Sequence, residues 1–376
     1  MRTDTVVIGA SAAGLATAAC LSRAGAPHVV LEQEAHVAHA WRNHYDRLRL
    51  HTTRGLSGLP FHPMPRTYPR YPSRDQVVAY LEDYARALSI KPWFGARVRS
   101  VRRESDGWIT TTERDERIVS RNVVVATGHA RVPHEPTWPG RAEYRGEVVH
   151  SSRYGNGERF RGKPVLVIGI GNSGAEIAID LHEHGAKPTI AVRGAVNVVP
   201  RDILGVPVLA VALALDSVSA RLADELVEPL VRASIGDVTK IGLRKLPYGP
   251  IVQVREHARV PLVDIGTIDL VRRGHVRIGP GVRCFTPEGV EFDDGTRAPF
   301  DAVVLATGYR PALADFLDVA DRVTGEQGLP TRSGYETLPG LYFCGFFLWP
   351  TGLLREIGIE AKRIARSIAR SLPARA

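Results

Sequence analysis

The stretch that most constrains this chain is Gly169-Ile-Gly-Asn-Ser-Gly174, set between the apolar run 165–168 and the helix-patterned segment 175–181. A buried strand, a Gly-x-Gly-x-x-Gly turn and a helix form a dinucleotide cradle: the glycines let the backbone approach a pyrophosphate, and the helix N-terminus then stabilises it. The chain carries a second copy. Thr5-Val-Val-Ile8 leads into Gly9-Ala-Ser-Ala-Ala-Gly14, and an alanine-rich helix pattern follows to Arg23. Ser11 stands where the middle glycine is usual, flanked by Ala12 and Ala13. Its small side chain leaves the backbone accessible and offers a hydroxyl to a phosphate. Two cradles about 160 residues apart imply two nucleotides, and hence an α/β fold with two Rossmann-like dinucleotide-binding domains.

The strand after each cradle ends differently. Residues 27–31 end in Glu32, 23 positions past Gly9, whereas residues 189–192 end in Arg193, 24 positions past Gly169. A carboxylate at this place accepts the hydroxyls of an adenosine ribose, and an arginine suits a 2′-phosphate. The first site therefore favours FAD and the second NADPH.

A chain of 376 residues exceeds the about 250 to 300 at which single cores stop growing, in keeping with two domains. The longest apolar run, 203–215, is too short to span a bilayer, which takes roughly 20 residues, and it contains Gly205 and Pro207. No membrane span is expected. Met1-Arg-Thr-Asp leads straight into the first strand, so the expected location is the cytoplasm. The net charge is +9, but all but six of the 49 basic residues are arginine, spread along the chain rather than clustered. Nucleic acid is not an expected partner, and the charge favours anionic cofactors. Cys20, Cys284 and Cys344 are isolated, without metal-ligand spacing, and read as buried thiols.

Between the cradles, residues 35–73 are polar, aromatic and proline-rich, the composition of a long functional loop. Helical periodicity resumes over 74–89, strand patterns follow at 96–102, 107–112 and 117–119, and 123–128 is a buried strand ending in Ala126-Thr127-Gly128. Residues 203–235 carry helical patterns. The ending recurs at Ala306-Thr307-Gly308, followed by Tyr309. Residues 351–372 read as a long helix with arginines on one face, suited either to a membrane surface or to closing the first domain. The expected boundaries are an FAD domain from 1–160 and 296–376 and an NADPH domain from 161–295.

With these residues laid out, the chain resembles the flavin-containing monooxygenases, most closely the plant YUCCA type and its bacterial relatives. Their signature, Phe-x-Gly-x-x-x-His-x-x-x-Tyr, is matched with one aromatic exchange by Tyr144-Arg-Gly-Glu-Val-Val-His-Ser-Ser-Arg-Tyr154. Further matches are Tyr45-Asp-Arg-Leu-Arg-Leu-His51, Tyr71-Pro-Ser-Arg74, Val199-Pro-Arg-Asp-Ile-Leu-Gly205, the Gly242-Leu-Arg motif ending at Pro250, Asp264-Ile-Gly266 and Ala306-Thr-Gly-Tyr309. The resemblance implies an NADPH domain inserted into an FAD domain. It also implies a reaction in which NADPH reduces FAD, the flavin activates dioxygen, and one oxygen atom enters a small-molecule substrate.

Gly9 to Gly14, Glu32, Gln33, Trp41, Arg42, His51, Thr52, Val98, Ala126 to Gly128 and Gly345 are the candidates for the FAD side. Gly169, Gly171, Asn172, Ser173, Gly174, Arg193 and Ala306 to Tyr309 complete the cofactor-binding set. No metal ligand is expected. Animal members place an asparagine near the flavin where this chain has His51-Thr52, and His51 is the candidate polar group at the reacting centre. The plant enzymes carry a basic glycine-rich turn near the C-terminus, replaced here by Phe346-Phe-Leu-Trp-Pro-Thr-Gly352, whose Phe346, Phe347 and Trp349 are candidate substrate contacts. The resemblance points first to an aromatic 2-oxo acid such as indole-3-pyruvate. A neutral aromatic ketone, an amine or a sulfide, and an NADPH oxidase or reductase that inserts no oxygen, stay open, as does assembly as a homodimer.

Overall fold

The computed structural model describes residues 1–372 apart from 105, 106, 258, 326, 348 and 350. The first sheet starts with β1 (Arg2–Ile8), β2 (His28–Leu31), the hairpin β3 (Val98–Glu104) and β4 (Gly107–Thr112), and β5 (Arg117–Val125). β1 lies between β2 and β5, parallel to both. The C-terminal ends of β1 and β5, Val6 to Ile8 and Val123 to Val125, are buried and unbroken apolar runs, as central parallel strands under helices require. The stretches 117–119 and 123–125, expected as separate elements, form one strand, because Asn122 carries the ladder between them and donates toward Asp4.

The second sheet follows with β6 (Glu147–His150), β7 (Pro164–Ile168), β8 (Lys187–Ala191), β9 (Arg277–Gly279) and β10 (Ala302–Leu305), all parallel in the order β9-β8-β7-β10-β6. Then β11 (Glu336–Leu338) and β12 (Leu341–Phe343) return to the first sheet, β12 pairing in parallel with β5. The second sheet thus takes β6 and β10 from stretches that the expected boundaries at 160 and 296 gave to the FAD side. The reason is register: residues 302–305 pair with 165–168 and 147–150, extending the sheet of the second cradle. The two crossings between sheets run side by side, with Val132–Pro133 antiparallel to Tyr309–Arg310.

Helices cover the sheets. α1 (Ala12–Arg23) is almost wholly buried, and its alanines let it approach both the strands and the C-terminal helix. Among the other helices are α2 (His39–Arg42), α3 (Arg74–Ala87), α4 (Asn172–Glu183), α5 (Val208–Ala214), α6 (Ala220–Ile235), α7 (Pro250–His257) and α8 (Leu353–Arg370). α8 buries Leu354, Ile357, Ile364 and Ile368 in the core beside α1, each such side chain contributing roughly 1.5 to 3 kcal/mol. Its apolar face is therefore spent on closing the first unit, and Lys362 and Arg366 face solvent. Among the described residues no helix is long and apolar enough to cross a membrane.

The stretch 203–235 is not continuously helical. Asp202–Ile203 and Val206–Pro207 form a small hairpin that turns through Leu204 (φ 49°) and Gly205 (φ 80°), and helix resumes only at α5. Cys20 and Cys344 are buried as expected, while Cys284 is half-exposed, and all three are free.

The two cradles are built on one plan. Gly9 N–H donates to the Leu31 carbonyl and Gly169 N–H to that of Ala191, at 2.8 and 3.0 Å. A Cβ on Gly9 would lie 2.8 Å from the Ala126 carbonyl oxygen, and one on Gly169 would lie 2.6 Å from that of Ala306. A Cβ on Gly14 or Gly174 would sit 1.7 or 2.0 Å from the carbonyl oxygen of the first glycine of its own turn. Each Ala-Thr-Gly ending is thus the floor of a cradle. Gly171 differs: its φ is −73° and a Cβ there meets nothing within 4 Å. Gly174→Ala is expected to lower stability by about 2 kcal/mol or more through overpacking, and Gly171→Ala to leave the melting temperature unchanged. Thermal unfolding of the two variants checks this, and an unchanged Gly174→Ala would contradict the packing account.

Candidate active site

A cleft of about 460 Å³ opens where β1, β2 and β5 end, lined by Gly9, Ser11, Glu32, Gln33, Val98, Ala126, Thr127 and Tyr309 among the expected residues. Glu32 is 7% exposed, and its carboxylate accepts from the N–H groups of Ala10 (2.7 Å) and Glu34 (3.0 Å). Burial raises its pKa, and these two hydrogen bonds oppose the rise. The Ser11 hydroxyl caps no N–H of α1, and the buried Thr127 hydroxyl has no partner among the described residues. A carboxylate for a ribose, a helix N-terminus for a pyrophosphate and a spare hydroxyl fit an adenine dinucleotide.

Other expected residues lie around this cleft rather than in its wall. Ala12 and Ala13 present only the first backbone groups of α1, their side chains being buried. Trp41 packs on the core, and Arg42 pairs with Glu82 and donates to the Val37 carbonyl. Their neighbours Ala40, Asn43 and His44 line the cleft instead, since one short helix turn faces two ways. Burial, then the charge of Arg74, pushes the His44 pKa down to about 4. Gly128 and Gly345 approach each other behind the floor, and the Gly345 N–H donates to Glu360 at 2.7 Å. Arg131 and Arg153 also line the cleft and were not foreseen, being two arginines among many.

At the second cradle Gly171 caps α4 with open space before it. The Asn172 side chain accepts from the Val263 N–H at 2.8 Å, the Thr307 hydroxyl donates to the His134 carbonyl, and the Gly308 carbonyl accepts from the His134 N–H at 2.9 Å. Arg193 is exposed just past β8. Arg244 donates to the Arg193 carbonyl at 2.7 Å, which sets a second guanidinium against the Arg193 backbone. Arg244 belongs to the Gly242-Leu-Arg motif, the one sequence signal that marked it.

Between these places lies an apolar cavity of about 230 Å³, walled by Val199, Leu209, Val227, Ile251, Val263 and Trp349, with His51, Thr52 and Asn172 as polar groups. Phe346 is not among them: it is 1% exposed and packs in the core beneath the first sheet. Phe347 lines an adjoining cleft, and Leu348 and Pro350 of the same stretch lie outside the described residues. His51 Nε2 lies 2.8 Å from Glu176 Oε1. Glu176, on α4, is 2% exposed, and the Tyr45 phenol also lies against it. With the carboxylate as acceptor, Nε2 carries the proton and Nδ1 is left to the cavity. Burial and the neighbouring Glu176 charge raise the Tyr45 pKa well above the phenol range. Sequence alone did not single out Glu176, which reads there as one more polar position on an amphipathic helix.

Residues 3–326 match the model of the family described as flavin-binding monooxygenase-like. The chain is 39% identical over 348 residues to the indole-3-pyruvate monooxygenase YUCCA1 of Oryza sativa subsp. japonica, covering 91% of this chain and 86% of that protein. The flavin-containing monooxygenase from Stenotrophomonas maltophilia superposes with a TM-score of 0.74 at 25% identity, covering 98% of both chains. An oxidized steroid monooxygenase bound to NADP shares the fold, with a TM-score of 0.77 at 19% identity over 98% of this chain and 86% of that one. The chain belongs to the flavin-binding monooxygenase-like family. It is an FAD- and NADPH-dependent monooxygenase, whose reactants are dioxygen and a small molecule.

In this flavin-binding monooxygenase the stretch 144–154 is architectural. Tyr144 donates to the Phe300 carbonyl at 2.8 Å, and a Cβ on Gly146 would strike the Tyr144 ring. Tyr154, buried and stacked on Phe160, donates to Asp180 at 2.6 Å. His150, wholly buried, accepts from the Ser152 N–H at Nδ1 (3.1 Å), so its Nε2–H donates to the Gly308 carbonyl (3.1 Å). The ring is held neutral, and burial lowers its pKa.

A histidine with a depressed folded pKa contributes stability that is present above about pH 6.5, its unfolded value, and lost as pH falls through the folded one. The melting temperature is therefore expected to drop between pH 6.5 and 5, and His150→Asn should flatten that drop while lowering the melting temperature at pH 7.5. An equally steep acid slope in the variant would exclude His150 as its source.

The paired arginines carry a second expectation. A charge-assisted bond contributes about 1.5 to 3 kcal/mol, and each 1.4 kcal/mol is about tenfold. Arg193→Ala should narrow the preference for NADPH over NADH by roughly 10- to 100-fold, and Arg193→Ala with Arg244→Ala by more. Flavin reduction rates with the two coenzymes measure it, and equal use of both by the unmutated enzyme would contradict it.

Proposed function

We propose that this enzyme inserts one atom of dioxygen into an aromatic or otherwise apolar small molecule, with an aromatic 2-oxo acid such as indole-3-pyruvate as first candidate. The observation that carries this reading is the apolar cavity, whose valine, leucine and isoleucine walls suit a ring and whose His51, Thr52 and Asn172 supply a few polar groups. The similarity to the rice indole-3-pyruvate monooxygenase supports the substrate class.

In the same reading, the 460 Å³ cleft would hold FAD, with Glu32 available to its ribose hydroxyls and the N-terminus of α1 to its pyrophosphate. NADPH would be held by the second cradle, with Arg193 and Arg244 as the cations available to its 2′-phosphate. Strands β1–β5, β11 and β12 then form the FAD domain, and β6–β10 form the inserted NADPH domain. When bound, the flavin would supply the redox and oxygen-activating chemistry. The protein contributes position and dryness. His51 offers Nδ1 to the reacting molecule, Glu176 holds the imidazole in that tautomer, and the apolar walls exclude water. Three free cysteines suit a reducing compartment, and the cytoplasm is the location we assign.

The test is to supply indole-3-pyruvate, phenylpyruvate, an aryl ketone and an aryl sulfide under ¹⁸O₂ and to measure product, NADPH consumed and peroxide released. A singly ¹⁸O-labelled product approaching one per NADPH is expected with a 2-oxo acid, and Glu176→Gln should cut product per NADPH several-fold while peroxide rises. Peroxide equal to NADPH with every substrate would overturn the reading in favour of an oxidase. Oxygenation of the sulfide alone would replace the oxo acid by a soft nucleophile.

A further inference from the structure

The apolar cavity has a wall in common with an outer cleft of about 470 Å³: Val254 and Trp349 line both. The outer cleft differs in chemistry. Its other residues include Arg255, Arg332, Ser333, Tyr335 and Phe347, whereas among the described residues no Arg, Lys, Asp or Glu lines the inner cavity. Arg255 is anchored by the carbonyls of Val218 (2.6 Å) and Leu215 (3.1 Å) and lies 3.5 Å from Asp216. Arg332 is exposed, with no ion pair or hydrogen bond among the described residues. Arg363 lies over the Tyr335 ring, 4.2 Å from its centroid. Glu360 is buried below and already engaged, accepting from the Ser333 hydroxyl at 2.8 Å and the Gly345 N–H at 2.7 Å. The cleft is thus rich in arginine and aromatic residues where the cavity is mostly aliphatic.

We propose that the outer cleft is an anion-selecting approach to the substrate cavity, in which Arg332 receives the carboxylate of an aromatic acid whose ring passes Trp349 into the apolar chamber. The inference rests on the reading of that chamber as the substrate site, and it names the charge that the substrate carries. A chamber lined by no Arg or Lys takes a ring readily but offers a carboxylate no guanidinium or ammonium, and an unpaired ion inside it would be strongly disfavoured. Keeping the carboxylate on the solvent side of Trp349, against a free guanidinium and beside aromatic edges, removes that conflict. Arg332, on the segment leading into β11, supplies the cation from a part of the chain that does not line the inner cavity.

The experiment is equilibrium binding to the FAD-loaded full-length enzyme of indole-3-pyruvate and of indole-3-acetone, a neutral ketone with the same ring. An exposed ion pair is weak, so Arg332→Ala is expected to loosen indole-3-pyruvate by about two- to fivefold and Arg332→Glu by more, with indole-3-acetone unchanged in both. The difference between the ligands should shrink in 0.5 M salt, because screening acts on the charge alone. Equal loosening of both ligands, or no change for the acid, overturns the inference, as does failure of the acid to bind. Turnover is read separately. Charge-dependent binding without oxygenated product leaves the cleft standing and removes the substrate reading; oxygenated product with binding indifferent to Arg332 does the reverse.

Discussion

Everything in this structure depends on a backbone contact that permits no side chain: the first glycine of each cradle resting on the alanine carbonyl at the end of the neighbouring parallel strand. Gly9 on Ala126 and Gly169 on Ala306 fix how closely turn and strand approach, and Gly14 and Gly174 then bring each helix down on its own turn. That closeness directs the free N–H groups of α1 and α4 to one side, where a phosphate can meet them. The alanine-rich surface of α1 follows from the same demand, as does the docking of α8 on it.

The second theme is how the two units are joined. A two-stranded ribbon carries the chain across, His150 ties the end of β6 to the Gly308 carbonyl, and Tyr154 reaches Asp180 on α4. From the first unit the long loop after β2 sends Tyr45 and His51 to Glu176, also on α4. One helix of the second unit thus carries a cofactor cradle at its start and a buried carboxylate for the neighbouring loop one turn later.

Much of this was legible beforehand because it is local. A glycine spacing, a buried apolar run and a charged strand end lie within some 25 residues of one another, and the cradles, Glu32 and Arg193 could be read from them. The helical periodicity over 74–89 is likewise local, and α3 begins where it starts. What could not be read depends on register across long separations. Nothing local to 302–305 says that it pairs with 165–168 rather than with the first sheet, since both neighbours are equally apolar. Glu176 acquires its partner 125 residues away, and Arg244 acquires its place beside Arg193 through a loop contact. Phe346 and Trp349, three apart in one aromatic run, go to core and cavity respectively, and nothing in the run itself tells them apart.

The apolar cavity draws its walls from both units, with His51, Thr52 and Leu353 on one side and Val199, Leu209 and Val263 on the other. A guest that fills it gains its contacts only when the two sides stand at a single spacing. Its seating free energy is then also a free energy against separation, so an occupied cavity acts as a latch. Linkage makes the effect mutual: anything that alters the spacing, such as a nucleotide drawing α4 toward itself, retunes affinity in the cavity without touching one of its walls.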